Sequence, residues 1–363
     1  PFHGTASFLM VSIIPNFRGH CKACGVSLQI SPMGRVALAF CLKGVYDRIR
    51  FVSFFVFCWR RLAVKKLLLI VNPRAGKNKS LAPLYEAIAR LSAGGYLVHV
   101  RETAAPGDAT RFARDIGPLF DTVACYGGDG TLNETISGLM QLAHKPLLGY
   151  LPAGSTNDFA ATLHIPAVPY MAAEIITQGT PMALDVGRHN NRYFSYVASF
   201  GAFTKASYSA PQEVKNALGH FAYILEGIKS LDSLRPYHCR ITADEETIEG
   251  DFIFGSVCNS TSLAGLVKLD PNRVRMDDGV FELVLLRMPR TLLDLTNLLV
   301  ALNQMQYDDP GIFFRHASRV TVETADDIPW SLDGEYAPSS PVVNIENCHG
   351  AVRLLVKKPE GTE

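Results

Sequence analysis

Asp121-Thr122-Val123-Ala124-Cys125-Tyr126-Gly127-Gly128-Asp129-Gly130-Thr131 (residues 121–131) carries a strand-like apolar run into a glycine turn, and the spacing of 132–142 predicts a helix leaving it. Glycines let backbone amides approach a phosphate, and a helix N-terminus favours negative charge. Taken alone, the segment reads equally well as an ordinary βα turn. It is not a dinucleotide fingerprint, because GxGxxG would put glycine where Asn133 stands.

Working outward, the same alternation recurs on both sides. Lys65 to Val71 is a near-continuous apolar run of the kind a strand buried on both faces shows, and Asn72-Pro73-Arg74-Ala75-Gly76 breaks it. Helices are predicted over 80–91, 110–116 and 155–163, with strands over 96–101 and 147–151. Strands alternating with helices predict an α/β domain with a mainly parallel sheet over 64–188.

After Asp185 the pattern changes to short strand-like pieces, at 192–199, 238–243, 251–259, 280–286, 319–323, 342–346 and 352–356, with helices expected at 213–231 and 292–304. Residues 189–346 therefore read as a β-rich second domain.

Length and composition agree with two domains: 363 residues, 48% apolar, can bury sizeable cores. A net charge of +1 gives no overall field for nucleic acid. The eight scattered cysteines are no disulfide framework and fit a reducing compartment, and Cys21 and Cys24 form a lone CxxC without a second pair.

Residues 1–63 read as an extension outside both domains. Their apolar runs, 36–42 and 51–59, fall short of the ~20 residues a spanning helix needs. A basic, aromatic-rich helix lying in a membrane interface competes there with an unstructured segment, and no small-residue site suggests a signal peptide.

Three strand-end turns and two acidic clusters could carry chemistry. Asn72 to Gly76, followed by Lys77, is not a Walker A loop, which would need glycine at Val71 and Ser or Thr at Asn78. Pro152-Ala153-Gly154-Ser155-Thr156-Asn157-Asp158-Phe159 offers hydroxyls and a capping Asn-Asp pair. Each turn has a plain capping explanation, but strands of one sheet would bring all three to a single edge. Asp277-Asp278-Gly279 and Asp333-Gly334-Glu335 are hairpin turns on local physics, and also the available carboxylates for phosphoryl transfer.

With these residues assembled, the chain resembles, from about Lys65 to its end, the bacterial diacylglycerol kinase and related lipid kinase family. The resemblance rests on Asn72-Pro73 with Gly76, Gly127 to Glu134, Gly154 with Asn157-Asp158-Phe159, Asp185-Val186-Gly187, Asp278-Gly279 and Asp333-Gly334-Glu335. It implies an α/β nucleotide domain, a β-sandwich domain, an active site in the cleft between them, and a terminal segment, 347–363, returning to the first domain. It further implies ATP as phosphoryl donor, contacted by Asn72, Pro73, Arg74, Ala75, Gly76, Thr103, Gly128, Asp129, Gly130, Thr131, Leu132, Asn133, Glu134 and Ser155. Glu335 would accept the proton of the lipid hydroxyl, and Asp333 would support it or the active-site Mg²⁺. A structural Mg²⁺ would use the Asp278 carboxylate with the carbonyls of Arg275 and Val280, and Asp185 matches an acidic position tied to the active centre. Ser155 stands where threonine is commoner.

The implied partners are a lipid substrate at the membrane surface, most simply diacylglycerol, with peripheral contact from the cytoplasmic side and a homodimer among the expectations. Other lipid acceptors, a soluble acceptor as in NAD kinases, and a nucleotide- or lipid-sensing protein without catalysis are the competing readings.

Overall fold

The computed structural model describes residues 64–76, 81–154, 157–202, 234–263, 267–270 and 272–358, and the backbone of four short strands nearer the start. The expected helix at 213–231, the apolar runs at 36–42 and 51–59, the Cys21/Cys24 pair, Lys77 and Ser155 fall outside the residues whose side chains are described. The chain divides into two compact units, Pro1–Ala63 and Val64–Glu363. In the first, β1 (Val11–Ser12) pairs with β4 (Arg35–Val36), and β2 (Arg18–Cys21) with β3 (Val26–Gln29), both antiparallel.

The second unit opens with β5 (Lys65–Val71), whose residues 67–71 are essentially fully buried, as an apolar run covered on both faces must be. Each such Leu, Ile or Val contributes about 1.5–3 kcal/mol on leaving water. Then come α1 (Ala82–Ala93), β6 (Tyr96–Glu102), α2 (Asp108–Asp115), β7 (Thr122–Gly127), α3 (Asp129–Leu139), β8 (Leu147–Pro152), α4 (Asp158–Thr162) and α5 (Pro169–Gln178). The strands lie in the order β6-β5-β7-β8, all parallel. Every crossover is a helix, as parallel pairing requires.

The remainder is mainly antiparallel: β9 (Thr180–His189), β10 (Arg192–Phe194), β11 (Val197–Gly201), β12 (Tyr237–Ala243), β13 (Glu246–Cys258), β14 (Ser262–Leu263), β15 (Val267–Lys268), β16 (Phe281–Arg287), α6 (Leu292–Asn303), β17 (Ile312–Ala317), β18 (Arg319–Glu323), β19 (Trp330–Leu332), β20 (Glu335–Ala337) and β21 (Val342–Val356). A separate core of Phe194, Phe200, Phe252, Phe281 and Trp330 with surrounding aliphatics fills its interior. The 15-residue β21 bends at a bulge between Cys348 and Val352. It pairs with β18 by one half, with β9 along its length and, through Leu354 opposite Leu148, in parallel with β8. Tyr196, Val197 and Cys258 also share one apolar cluster with Leu132, Leu151 and Phe159, so the parallel and antiparallel halves pack on a common core.

Several elements differ from their expected bounds for physical reasons. The helix expected from Leu132 starts at Asp129, because Gly128 takes the extended N-cap position and an acidic first-turn residue suits a helix N-terminus. The strand expected over 192–199 is broken at Ser195 and Tyr196, whose amides bond a carboxylate instead of a neighbouring strand. The helix at 169–178 and the strands at 180–189 and 312–317 had no expectation.

Candidate functional site

Loops after β5, β7 and β8 meet at the carboxyl edge of the parallel strands, the usual ligand edge of an open α/β sheet. After β5, the Asn72 amide bonds the Tyr126 carbonyl at 2.9 Å, and its side-chain Nδ2 donates to Thr131 Oγ1 at 3.0 Å. Asn72 Oδ1 accepts from the Arg74 amide at 3.0 Å, holding the 72–75 turn shut. Gly76 has a φ of +76°, and a side chain there would run into the Ala153 carbonyl of the loop after β8. Gly128 and Gly154 approach backbone to backbone, so that a Cβ on Gly154 would lie 2.6 Å from Gly128 Cα. The three turns therefore form one continuous backbone floor.

Above that floor stands the N-terminus of α3. Its first intrahelical bond runs from the Leu132 amide to the Gly128 carbonyl at 3.1 Å, which leaves the amides of the Asp129–Thr131 turn without intrahelical acceptors. Such a turn receives anions. Beside it, Asn72, Arg74, Thr103, Ala104, Ala105, Pro106, Ala109, Thr131 and Glu134 line a cavity of about 170 Å³. Thr103 is held by its amide on the Val71 carbonyl at 2.9 Å, and Glu134 Oε2 accepts from the Ala109 amide at 3.2 Å. Leu132 and Asn133 are buried; Leu132 packs in the core, and Asn133 Oδ1 accepts from Ser195 Oγ at 3.4 Å.

Asp129 faces the loop after β8. Its Oδ2 accepts from the Asp158 amide at 3.1 Å and its Oδ1 from the Tyr150 hydroxyl at 3.4 Å. Burial first, and the Asp158 carboxylate second, push its carboxyl above the ordinary range. Asn157 closes the same loop in left-handed conformation, bonding the Gly154 amide at 2.9 Å and the Gly154 carbonyl at 3.0 Å.

The carboxylates at 333 and 335 come to this place from the antiparallel half. Asp333, buried and at φ +47°, takes the amides of Ser195, Tyr196 (3.0 Å) and Val197 (2.9 Å), while its own amide bonds the Val197 carbonyl at 2.8 Å. Burial pushes its carboxyl up to about 7 against the pull of the three amides. Both oxygens are thus committed to the scaffold, and the hairpin that follows is pinned to β11.

Two residues on, Glu335 is half-exposed, with Oε1 3.7 Å from where a Gly130 Cβ would sit. Burial, then the Glu134 charge, raise its carboxyl, and Arg192 opposes them with Nη2 3.7 Å from Oε2. Arg192 also donates to the Tyr336 carbonyl at 2.8 Å. A lone arginine opening a short strand gave no sequence signal for that role.

Asp278 belongs to a different place. Its Oδ1 accepts from the Val280 amide at 3.2 Å, and the Arg275 guanidinium turns to Asp277, with Nε 3.3 Å from Oδ1. The neighbouring Gly279 amide bonds the fully buried Asp185 carboxylate at 2.7 Å. Asp185 also receives the Gly350 amide (2.7 Å), His349 Nδ1 (2.9 Å) and Asn347 Nδ2 (3.3 Å), which locks the 275–280 turn to the bulge of β21. Next to it, Glu282 is wholly buried with neither oxygen hydrogen-bonded, His316 Nε2 standing off at 3.8 Å, and burial pushes its carboxyl up to about 9. Sequence reading missed Glu282, whose position inside an apolar strand is its only signal.

Among the described residues no three acidic, His or Cys side chains come within reach of one metal ion, and no helix is long and apolar enough to cross a membrane.

Comparison with known proteins bears on both halves. Residues 66–189 match the diacylglycerol kinase catalytic domain, and residues 197–356 the YegS C-terminal NAD kinase beta sandwich-like domain. A diacylglycerol kinase of Bacillus subtilis (strain 168) is 33% identical over 280 residues, covering 77% of this chain and 92% of the relative. A diacylglycerol kinase of Staphylococcus aureus (strain bovine RF122 / ET3-1) is 32% identical over 286 residues, covering 78% and 90%. In fold, a solved diacylglycerol kinase structure from Bacillus anthracis superposes with a TM-score of 0.64, covering 81% of this chain and 97% of that one at 23% identity.

Proposed function

The chain belongs to the diacylglycerol kinase family, a lipid kinase and so a phosphotransferase with an alcohol acceptor, and from that premise we propose that it moves the γ-phosphate of ATP to the free hydroxyl of diacylglycerol. The observation that carries the reading is the placement of Glu335 Oε1, 3.7 Å from the Cβ position of Gly130 at an open helix N-terminus. A carboxylate there can take a proton from a hydroxyl as that hydroxyl attacks a phosphate seated on the helix amides.

Residues 64–188 form the nucleotide domain and 189–346 the acceptor domain, and the chain from 347 returns to the first through β21, where Leu354 lies opposite Leu148. Asn72 to Gly76, Thr103, Gly128 to Thr131, Glu134 and Ser155 contact ATP, whereas Leu132 and Asn133, expected to touch it, are buried. Asn72, Arg74, Thr103, Thr131 and Glu134 do so from the wall of the cavity, and Gly128 to Thr131 through the helix N-terminus. Leu132 and Asn133 act from beneath by fixing α3. Asp333 positions Glu335 rather than touching substrate. The reaction takes place on the cytoplasmic side at the membrane surface, where the acceptor resides.

Mg²⁺ fits the residues present. Asp278 is exposed with one oxygen on the Val280 amide, the Arg275 guanidinium turns to Asp277, and the donors that would hold the ion, one carboxylate with the Arg275 and Val280 carbonyls, are the all-oxygen chemistry a hard cation takes. Near the nucleotide, Asp129 is an oxygen donor whose raised protonation a cation would reverse. When bound there, Mg²⁺ neutralises charge on the transferring phosphate.

The test is a labelled-ATP assay with Mg²⁺ against diacylglycerol, sphingosine, ceramide, undecaprenol, phosphatidylglycerol and NAD, with products identified by mass. Phosphatidic acid as the dominant product is expected. Phosphorylated NAD as the dominant product would instead favour the soluble-acceptor reading, and no lipid turnover defeats the proposal.

A further inference from the structure

Helix α6 (Leu292–Asn303, LLDLTNLLVALN) carries apolar residues on its outward as well as its inward side, which soluble surface helices avoid. One face, Leu295, Leu298, Leu299, Ala301 and Leu302, is buried in the core. The other shows Leu292 52% exposed, Leu293 68% and Val300 47%, with Met305 37% exposed just past its end. The contrast with α2 is direct: α2 turns Asp108, Arg111, Arg114 and Asp115 outward and ties them in ion pairs.

Around the outer face of α6 the remaining positions are Thr296, Asn297, Asn303 and Gln304, all uncharged. Its acidic residue, Asp294, is spent in the capping box with Thr291. Arg290, exposed and in no ion pair among the described residues, precedes the helix at its rim. Four partly exposed side chains offer a few hundred Å² at most, well under the ~800 Å² per partner of a stable protein interface. A short apolar stripe among uncharged positions, with Arg290 before it and Asp308 only past Met305, is instead the pattern of a helix lying in a bilayer interface.

We infer that the outer face of α6, through Leu292, Leu293, Val300 and Met305, is the membrane-docking surface of this protein, seated at the headgroup boundary of the bilayer that holds its acceptor. This deepens the lipid-kinase reading and rests on it for the source of the acceptor, but its test does not depend on turnover.

The full chain is sedimented with phosphatidylcholine vesicles, with and without diacylglycerol, beside the variants Leu293→Gln with Val300→Gln and, as a control, Tyr85→Gln, an exposed aromatic on α1. The double variant should bind vesicles roughly tenfold or more weakly, and the control like the parent. Turnover of a short-chain, monomeric diacylglycerol should be unchanged in both, which also shows that the double variant is folded. Equal vesicle binding by parent and double variant, or none by the parent, overturns the inference. So does a dimer in the parent that the double variant loses with vesicle binding intact, because the face would then dock a second copy. If no acceptor is phosphorylated while vesicle binding still depends on Leu293 and Val300, the kinase reading fails and the docking surface stands.

Discussion

The segments 333–335 and 277–282 each hold an acid-glycine turn, the first a hairpin joining β19 to β20 and the second a turn into β16, which pairs with β13 and β17, and they end in opposite arrangements. In the first, a buried Asp333 is saturated by three amides so that Glu335, two residues on, stands half-exposed against the N-terminus of α3. In the second, the amides of the turn and of the β21 bulge are drawn to Asp185 from elsewhere in the chain, while Glu282 is buried with neither oxygen hydrogen-bonded among the described residues. The difference teaches that a carboxylate is made available for chemistry by what satisfies its neighbour.

The largest expected effect breaks the first arrangement at its tip. Glu335→Gln should lower kcat roughly 10³-fold, the scale of a lost general base, with ATP affinity unchanged. Near-parent turnover would remove Glu335 as the proton acceptor. A smaller loss belongs to Asp333→Asn, which sets an amide NH₂ against backbone donors. Hydrogen bonds to a charged group are worth about 1.5–3 kcal/mol each, so Tm should drop by about 5 °C or more. A displaced Glu335 should cost kcat roughly 10- to 100-fold. An unchanged Tm with a full loss of activity would mean that Asp333 touches the reaction itself.

How far the sequence carried follows from the same contrast. The α/β half was legible because its signals are local: apolar runs at 67–71 and 122–126, each ending in a glycine turn, specify both strand and edge. That the three strand-end turns share one edge was implied by sheet geometry before any coordinate, whereas the particular contacts of Asn72 with Thr131 and of Gly76 with Ala153 were not. The amide grip of Ser195 to Val197 on Asp333 was not legible, because it joins segments 136 residues or more apart and is made by backbone, which leaves no side-chain signature. Arg192 and Glu282 escaped for a related reason, each being a charged residue in a strand whose partners come from remote chain.

Glu282 gives the second arrangement its own test. Its carboxyl is pushed up to about 9 in the folded chain, against an ordinary value of 4.5 when unfolded. The native state therefore holds the proton more tightly, so stability is greatest below about pH 4.5 and is lost as pH rises toward 9. Glu282→Gln keeps the shape without the proton, and its Tm should match the parent near pH 5 and exceed it by roughly 2–6 °C at pH 8. Parallel pH profiles for the two proteins would show that Glu282 has a donor or cation beside it in solution.

The smallest effect sharpens the comparison from the exposed side of the same turn. If Asp278 supplies the carboxylate of a Mg²⁺ site with the Arg275 and Val280 carbonyls, Mg²⁺ binds only the folded chain and raises Tm by mass action, by about 1–3 °C at saturating concentrations. Asp278→Ala should abolish that rise while leaving the metal-free Tm nearly unchanged, because among the described residues Asp278 makes only the local bond to the Val280 amide. The Asp185 network would still hold the turn, so the variant separates metal binding from folding. A Mg²⁺-dependent rise that persists in Asp278→Ala would move the cation to other oxygen donors, with Asp129 beside Asp158 the first to examine.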